Sequence, residues 1–309
     1  MGEIFKILAI DGGGIRGIFP AQILKRIKEE LAIEFCQKMQ IITGTSTGSI
    51  IAAGLAIDYP IEKIVELYKT EGHRIFHRNY SEFLNKYNWK GLFQSKYNNL
   101  YLKKILNNVF KDLTLSQTKT RLMIPASDVS NGSVFIFKSN YDENFIRDKN
   151  TKISEAVLAS CSAPTFFNPV KVKEYLLADG GLWANNPSLI ALTEAMGRRF
   201  KREKSQIRIL SLGTGLGKKY YDPTDYNKDW GFKRWGLGLV STIMNLQSIN
   251  VDNIVKFILE NDDKRFVRIN FDTDYEAALD DIDSVNNLIA RADEAFTYNF
   301  NKIKYFFDE

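Results

Sequence analysis

Short apolar runs set between longer stretches of helical periodicity leave few architectures open to this chain. Residues 4–10 form a strand apolar enough to be buried on both faces. After a run of glycines comes a helical stretch, residues 20–36, in which Ile23, Leu24, Ile27 and Leu31 recur on one side. Residues 40–43 are a second short strand and residues 47–57 an apolar helix. Further strands are expected at 122–126, 133–137, 175–178, Ile207–Leu212 and Phe266–Ile269, and residues 284–307 are helical in pattern. Strands alternating with helices predict an α/β protein, its mainly parallel sheet covered by helices.

No repeat, low-complexity tract or Pro/Ser-rich linker divides the 309 residues, so a single domain over residues 1–309 is expected. A chain of this length buries roughly 75% of its unfolded surface and needs no covalent or metal staple. Cys36 and Cys161, the only cysteines, exclude a disulfide scaffold and a Cys-built zinc cluster, and they suit a reducing compartment. Two stretches break the alternation. Residues 72–102 are dense in aromatics, with Phe76, Tyr80, Phe83 and Tyr87 at helical spacing and Lys86, Lys90 and Lys96 interleaved. Such spacing fits a cap or a membrane-contacting entrance, although aromatic stripes also build cores. Residues 213–238 combine glycines with Tyr220, Tyr221, Tyr226, Trp230 and Trp235 and are expected to form a long irregular loop, a feature often tied to function.

The net charge of +5 is spread along the chain. Its densest basic stretch, residues 198–204, is interrupted by Phe200 and Glu203 and fits a solvated helix end better than a nucleic-acid surface. A gentle positive bias suits transient contact with anionic lipid. No segment approaches the roughly 20 apolar residues that span a bilayer. Charge and glycines break the N-terminal apolar run, unlike a signal peptide, and Lys6 stands where a myristoylation signal needs Ser or Thr. A cytoplasmic protein is expected.

The first chemical motif, Asp11-Gly12-Gly13-Gly14-Ile15-Arg16-Gly17, lies between the first strand and the first helix. Adjacent glycines let the backbone come close to a ligand, and their N–H groups at a helix start attract negative charge. Gly12, Gly14 and Gly17 also match the dinucleotide pattern, but that reading wants an acidic residue ending the second strand. Glu29, Glu30 and Glu34 lie on the intervening helix instead, and the strand runs into Gly44-Thr45-Ser46-Thr47-Gly48. This Gly-x-Ser-x-Gly fits a nucleophile elbow, whose flanking Gly44 and Gly48 permit a sharp turn that lifts the serine hydroxyl above the sheet. Ser and Thr also make good helix caps. The glycine-rich loop on the neighbouring strand favours the nucleophile.

A serine nucleophile needs a base. His73 and His77 are the only imidazoles, one helical turn apart in the aromatic stretch, and Arg74 replaces the glutamate of H-E-x-x-H. Packing or surface roles suit them better. A carboxylate is offered by Asp179-Gly180-Gly181, where Asp179 ends a strand at the edge that open α/β sheets use for ligand loops. Gly180 and Gly181 leave room for another backbone, and partial burial strengthens an aspartate whose reference pKa is about 3.9. A plain Asp-Gly turn is the other reading. Cys161, in Ser160-Cys161-Ser162, has no adjacent base and is assigned to packing.

The order and spacing of these three motifs resemble the patatin-like phospholipase family. Ala163-Pro-Thr-Phe-Phe167, Asn185-Asn-Pro187 and Ser211-Leu-Gly-Thr-Gly215 are similar to further family patterns, so the resemblance covers most of the chain. It implies a three-layer α/β/α sandwich and a lipid acyl hydrolase that releases fatty acids from membrane glycerophospholipids, met peripherally. It implies Ser46 as nucleophile and Asp179 as general base in a Ser-Asp dyad working through an acyl-enzyme. Gly12, Gly13 and Gly14 are implied as oxyanion-hole donors, with Arg16 ordering their loop and Gly44, Gly48 and Gly180 supporting the turns. No metal or organic cofactor is implied. Neither histidine follows a sheet-edge strand, so hydrolysis is favoured over the Ser-His acyl transfer of related lipid-synthesis enzymes. Compact members also resemble bacterial anti-phage effectors switched on by a cyclic nucleotide, for which the basic, aromatic loop 217–234 is the candidate site. A nucleotide-binding regulatory module built on residues 12–17, without hydrolase activity, stays open as the alternative.

Overall fold

The computed structural model describes residues 3–75, 95, 97–217, 222–230, 238–273 and 279–308. Its centre is an eight-stranded sheet. Strands β1 (Phe5–Ile10), β2 (Ile41–Gly44), β3 (Arg121–Asp128), β7 (Ile207–Leu212) and β9 (Phe266–Ile269) run parallel in the order β3-β2-β1-β7-β9. Beyond β3 the pairing turns antiparallel, through β4 (Ser133–Lys138), β6 (Tyr175–Asp179) and β5 (Val170–Val172). The parallel core matches the expectation, and the antiparallel flank adds to it. A separate ribbon pairs β8 (Leu216–Gly217) with β10 (Asp272–Thr273).

β1 and β7 are buried on both faces, and the period of two sorts their side chains. Leu8, Ile10, Leu210 and Leu212 meet one helical layer, while Phe5, Ile7, Ala9, Ile207 and Ile209 meet the other. The first layer comprises α1 (Ile18–Leu31), α3 (Thr47–Ala56), α4 (Ile61–Ile75), α5 (Asn99–Phe110), α6 (Ile153–Ser160) and the C-terminal α10 (Val285–Asp308). The second is built from α8 (Ser188–Met196) and α9 (Gly238–Ile258). A three-layer α/β/α sandwich results. α3 is buried all round, as its lack of a polar face demands.

The helix expected over residues 20–36 is shorter. It closes at Leu31 because Ala32 adopts a left-handed conformation (φ 52°) and donates its N–H to Lys28 O at 3.0 Å. A separate turn, α2 (Phe35–Lys38), follows. Pro20 is accommodated in the first turn of α1, where its missing N–H has no intrahelical partner to lose. The basic stretch 198–204 is drawn into ion pairs: Arg199 with Asp142 and Glu194, Arg202 with Glu3, and Lys204 with Glu260. Of residues 72–102, the first four end α4 and the last four begin α5; residues 76–94 and 96, with His77 and most of the aromatics, lie outside the described residues. Of residues 213–238, 218–221 and 231–237 lie outside, and the rest is less irregular than expected, holding β8 and a helical turn at Pro223–Asn227. Among the described residues no helix is long and apolar enough to cross a membrane.

One junction in the sheet positions the chemistry. β4 occupies one edge of β3 along residues 123–128. The opposite edge is shared: β2 pairs in parallel with residues 121–123, and β6 pairs antiparallel with residues 126–128. The C-terminal ends of β2 and β6 therefore approach each other head-on, with only Ile124 and Pro125 between them. Pro125 has no N–H to strand in that gap, and its carbonyl accepts a hydrogen bond from Ser160 Oγ at 2.6 Å.

Candidate active site

The turn from β2 into α3 carries Ser46 at φ 52° and ψ −125°, a region that costs a residue with a side chain of order 1–3 kcal/mol. Its surroundings over-determine it. Ser46 N–H donates to Ser160 Oγ (2.9 Å), its carbonyl accepts from Ser49 Oγ (2.6 Å) and Ser49 N–H (2.8 Å), and Gly48 N–H closes the turn onto Thr45 O (2.8 Å). A Cβ at Gly48 would come within 2.5 Å of Ile10 O, so the elbow rests directly on the backbone of β1. From α4 the Tyr68 hydroxyl bonds both Thr47 Oγ1 (2.5 Å) and Thr47 O (3.0 Å), which pins the first turn of α3.

Asp179 faces the elbow from the end of β6. It is 2% exposed, against 7% for Ser46, so both functional groups sit in a water-poor site. Oδ1 accepts the Gly181 N–H at 2.7 Å, while Oδ2 is buried without a hydrogen-bond partner among the described residues. Burial pushes the carboxyl pKa up to about 7, and the Ser46 hydroxyl and Gly181 N–H oppose that rise. The hydroxyl is thus near enough to favour the carboxylate without completing a hydrogen bond of ordinary geometry. Ser127 Oγ donates to Asp179 O (2.7 Å) and Trp183 Nε1 to Ala126 O (2.9 Å), fastening the end of β6, and the α7 turn (Gly181–Ala184) after it, to β3.

The glycine loop lies beside this pair. Gly14 has φ +60°, and a Cβ there would run into the Leu279 carbonyl, so no other residue fits. Gly12 N–H donates to Asn185 O (3.0 Å), Ile15 N–H to Leu279 O (2.8 Å) and Arg16 N–H to Gly13 O (3.2 Å). The expectation of three free donors is corrected here: Gly12 is committed to Asn185, and the N–H groups of Gly13 and Gly14 alone lack a partner among the described residues of the loop. Arg16 is buried and its Nε donates to Gly13 O at 3.3 Å. A stronger tether was not legible beforehand. Asp11 forms a two-pronged buried pair with Arg268 of β9 (2.9 and 2.6 Å), and Arg268 also meets Ser211 Oγ (2.8 Å) and Asp252 (3.5 Å). Burial raises the Asp11 pKa, opposed by Arg268 and by the Ser248 hydroxyl. Its one sequence signal is a lone cation inside an apolar strand.

Ser46, Asp179 and Gly14 line an apolar cavity, with Ile50, Leu102, Phe166 and Met244 among its other walls. Its volume of about 60 Å³ admits roughly four methylene-sized groups. Cys161 also borders it, but burial pushes its thiol well above the usual range, which makes it a poor nucleophile. His73 lies on α4 and, with His77, its side chain is outside the described residues. Among the described residues no group of three His, Cys, Asp or Glu side chains is placed to hold a metal ion.

A strained serine elbow, a glycine donor loop and a buried aspartate now stand together, and a family model described as patatin-like phospholipase matches residues 8–192. The chain belongs to the patatin-like phospholipase family. Within that family it is 31% identical to a cGAMP-activated phospholipase of Vibrio cholerae, over 97% of this chain and 92% of the relative. It is 29% identical to a cGAMP-activated phospholipase of Pseudomonas aeruginosa, over 83% of this chain and 76% of the relative. Patatin-like protein 4 of Arabidopsis thaliana is also 29% identical, over 92% of this chain and 81% of its own. Relatives of this patatin-like chain thus include proteins named for a cyclic-dinucleotide activator and one named for the family alone.

Proposed function

We propose that the chain hydrolyses acyl esters of membrane glycerophospholipids, with Ser46 as nucleophile and Asp179 as general base. The observation that carries this reading is the Asp179 carboxyl, buried, raised to about 7 and turned toward a serine on a strained elbow. A base with a pKa near the working pH is partly ionised and still basic enough to take the serine proton. Ser46 Oγ attacks the ester carbonyl as its proton passes to Asp179. The oxyanion that forms is met by the Gly13 and Gly14 N–H groups, each such donor being typically worth about 3–4 kcal/mol of barrier. Asp179 returns its proton to the departing lysolipid oxygen, leaving an acyl group on Ser46 with its first carbons in the apolar cavity. Water then releases the fatty acid with Asp179 again as base.

Fatty-acid release from phospholipid vesicles, followed by mass spectrometry, tests the reading. Ser46→Ala and Asp179→Asn are expected to lose release by at least about 10³-fold while keeping wild-type circular dichroism. Wild-type turnover in either variant would refute the dyad.

A cyclic-nucleotide activator is the second reading, and the names of the Vibrio and Pseudomonas relatives favour it. Release is then expected only when a member of a cyclic-dinucleotide panel is added; full release without any nucleotide counts against it. The nucleotide module on residues 12–17 draws less support, since three of the loop's N–H groups are already engaged within the protein. Equilibrium dialysis with NAD and ATP, expected to show no binding, tests it.

A further inference from the structure

Asp179 Oδ2 has a counterpart. Asn185, which follows α7, is 5% exposed, and its Oδ1 is likewise buried without a hydrogen-bond partner among the described residues. The amide's orientation is fixed from behind. The Ser248 hydroxyl on α9 also lies near the Asp11 carboxylate, which only accepts and so draws the single hydroxyl proton. Ser248 Oγ accepts from Asn185 Nδ2 at 2.9 Å, which turns Oδ1 the other way.

That other way is toward the catalytic pair. A Cβ at Gly12 would lie 2.5 Å from Asn185 Oδ1 and 3.2 Å from Ser46 Cβ, so those two atoms are no more than about 6 Å apart. A Cβ at Gly181 would lie 3.0 Å from Asp179 Oδ1 and 3.1 Å from Asn185 Oδ1, so those two oxygens are no more than about 6 Å apart, with Oδ2 on the same carboxyl. One water that donates a proton to each of two acceptors spans about 4.5 Å between them. Two buried acceptors without a hydrogen bond of ordinary geometry among the described residues, on side chains brought close beside the serine, are matched by a molecule with two protons to give and a lone pair to spare.

We propose that Asn185 holds the water that hydrolyses the acyl-enzyme. The proposal rests on the reading of Ser46 and Asp179 above and adds a group to its second half. The water donates one proton toward Asp179 Oδ2 and the other toward Asn185 Oδ1, which leaves its lone pair aimed at the acyl carbonyl on Ser46. As the new C–O bond forms, Asp179 takes the first proton; the second stays on oxygen, still bonded to Asn185. The tetrahedral intermediate collapses by breaking the carbon–Ser46 Oγ bond, and Asp179 returns its proton to Oγ. A fatty acid and free Ser46 result. Acylation needs no water, so Asn185 acts in only one of the two halves.

Rapid-mixing kinetics with p-nitrophenyl butyrate separate those halves, the burst reporting acylation and the steady phase deacylation. In Asn185→Ala, and in the near-isosteric Asn185→Leu, the burst rate is expected within about threefold of wild type and the steady rate down about 10–100-fold. The burst should approach one p-nitrophenolate per protein, with a butyryl adduct on Ser46 in the intact mass. Equal losses in burst and steady rates, or no adduct, would overturn the role of Asn185. Ser46→Ala, run alongside, should show neither burst nor adduct, and a burst there would instead overturn the nucleophile. A crystal structure of the wild-type protein gives a reading free of any variant. Water within hydrogen-bond distance of both Asn185 Oδ1 and Asp179 Oδ2 supports the proposal, and protein atoms filling that position overturn it.

Discussion

Replacing Asp179 by Asn should cost the activity and stabilise the fold, and the stabilisation should depend on pH in a defined way. The carboxyl has a folded pKa of about 7 against a reference of 3.8. Below about pH 3.8 it is protonated in both states and contributes nothing to the difference. Between 3.8 and 7 the native state holds a proton that the unfolded state has lost, so wild-type stability falls as pH rises. Above 7 the penalty is complete, at about 4 kcal/mol, since each tenfold change in proton affinity is worth roughly 1.4 kcal/mol. Asparagine keeps the acceptor for Gly181 N–H and offers an amide to the Ser46 hydroxyl, with no charge to bury. Urea unfolding of the two proteins at pH 4, 6 and 8 should thus give curves that nearly coincide at pH 4 and separate steadily toward pH 8. In thermal scans the pH 8 gap should approach about 8 °C for a chain of this size. A gap unchanged across that range, or a less stable variant at pH 8, would show that the carboxyl is not held out of water as described.

Three further outcomes follow from the site. Ser46→Gly removes both the nucleophile and the strain of a left-handed φ, so it should melt higher than Ser46→Ala, by about 1–2 kcal/mol in denaturant titration; equal stabilities would mean the turn is relaxed. Arg268→Met leaves Asp11 buried and unpaired, and should cost about 3–5 kcal/mol at pH 8 and less at pH 4, where Asp11 gains a proton; differential scanning calorimetry at both pH values checks it. Replacing His73 and His77 together should leave the burst rate on p-nitrophenyl butyrate within about threefold of wild type, and a hundredfold loss would assign one of them to the chemistry.

The sequence displayed most of the parallel core because buried strands must be apolar and the helices between them must be amphipathic. Residues 207–212 and 266–269 read as strands on that ground alone and are β7 and β9. β5 and β8 carry no such signal, being two or three residues long and held by pairing rather than by pattern. The end of α1 is equally silent because Ala32, neither Gly nor Asn, takes the left-handed conformation that closes it. In the site, residues sharing a local motif were legible: Ser46 with its glycines, and Asp179 with Gly180 and Gly181. Residues that act across the fold were not. Ser160, Asn185, Ser248 and Arg268 come from four separate elements, and only the packed sheet brings them to Ser46, Gly12 and Asp11. Gly12 shows the reverse limit, since its motif is intact while its N–H is taken by the carbonyl of Asn185, far along the chain.

The head-on meeting of β2 and β6 also bears on the order in which the chain is made. The serine elbow and the Gly13 and Gly14 N–H groups are encoded before residue 50, whereas Asp179, the proposed base, arrives only with β6, after β3 and β4. A nascent polypeptide that has emerged as far as β4 carries the proposed nucleophile without the aspartate proposed to take its proton. Its two residues of spacing, Ile124 and Pro125, are already in place, but one side of the gap is still missing. On the proposed mechanism, ester hydrolysis therefore waits until β6 has brought Asp179 to Ser46.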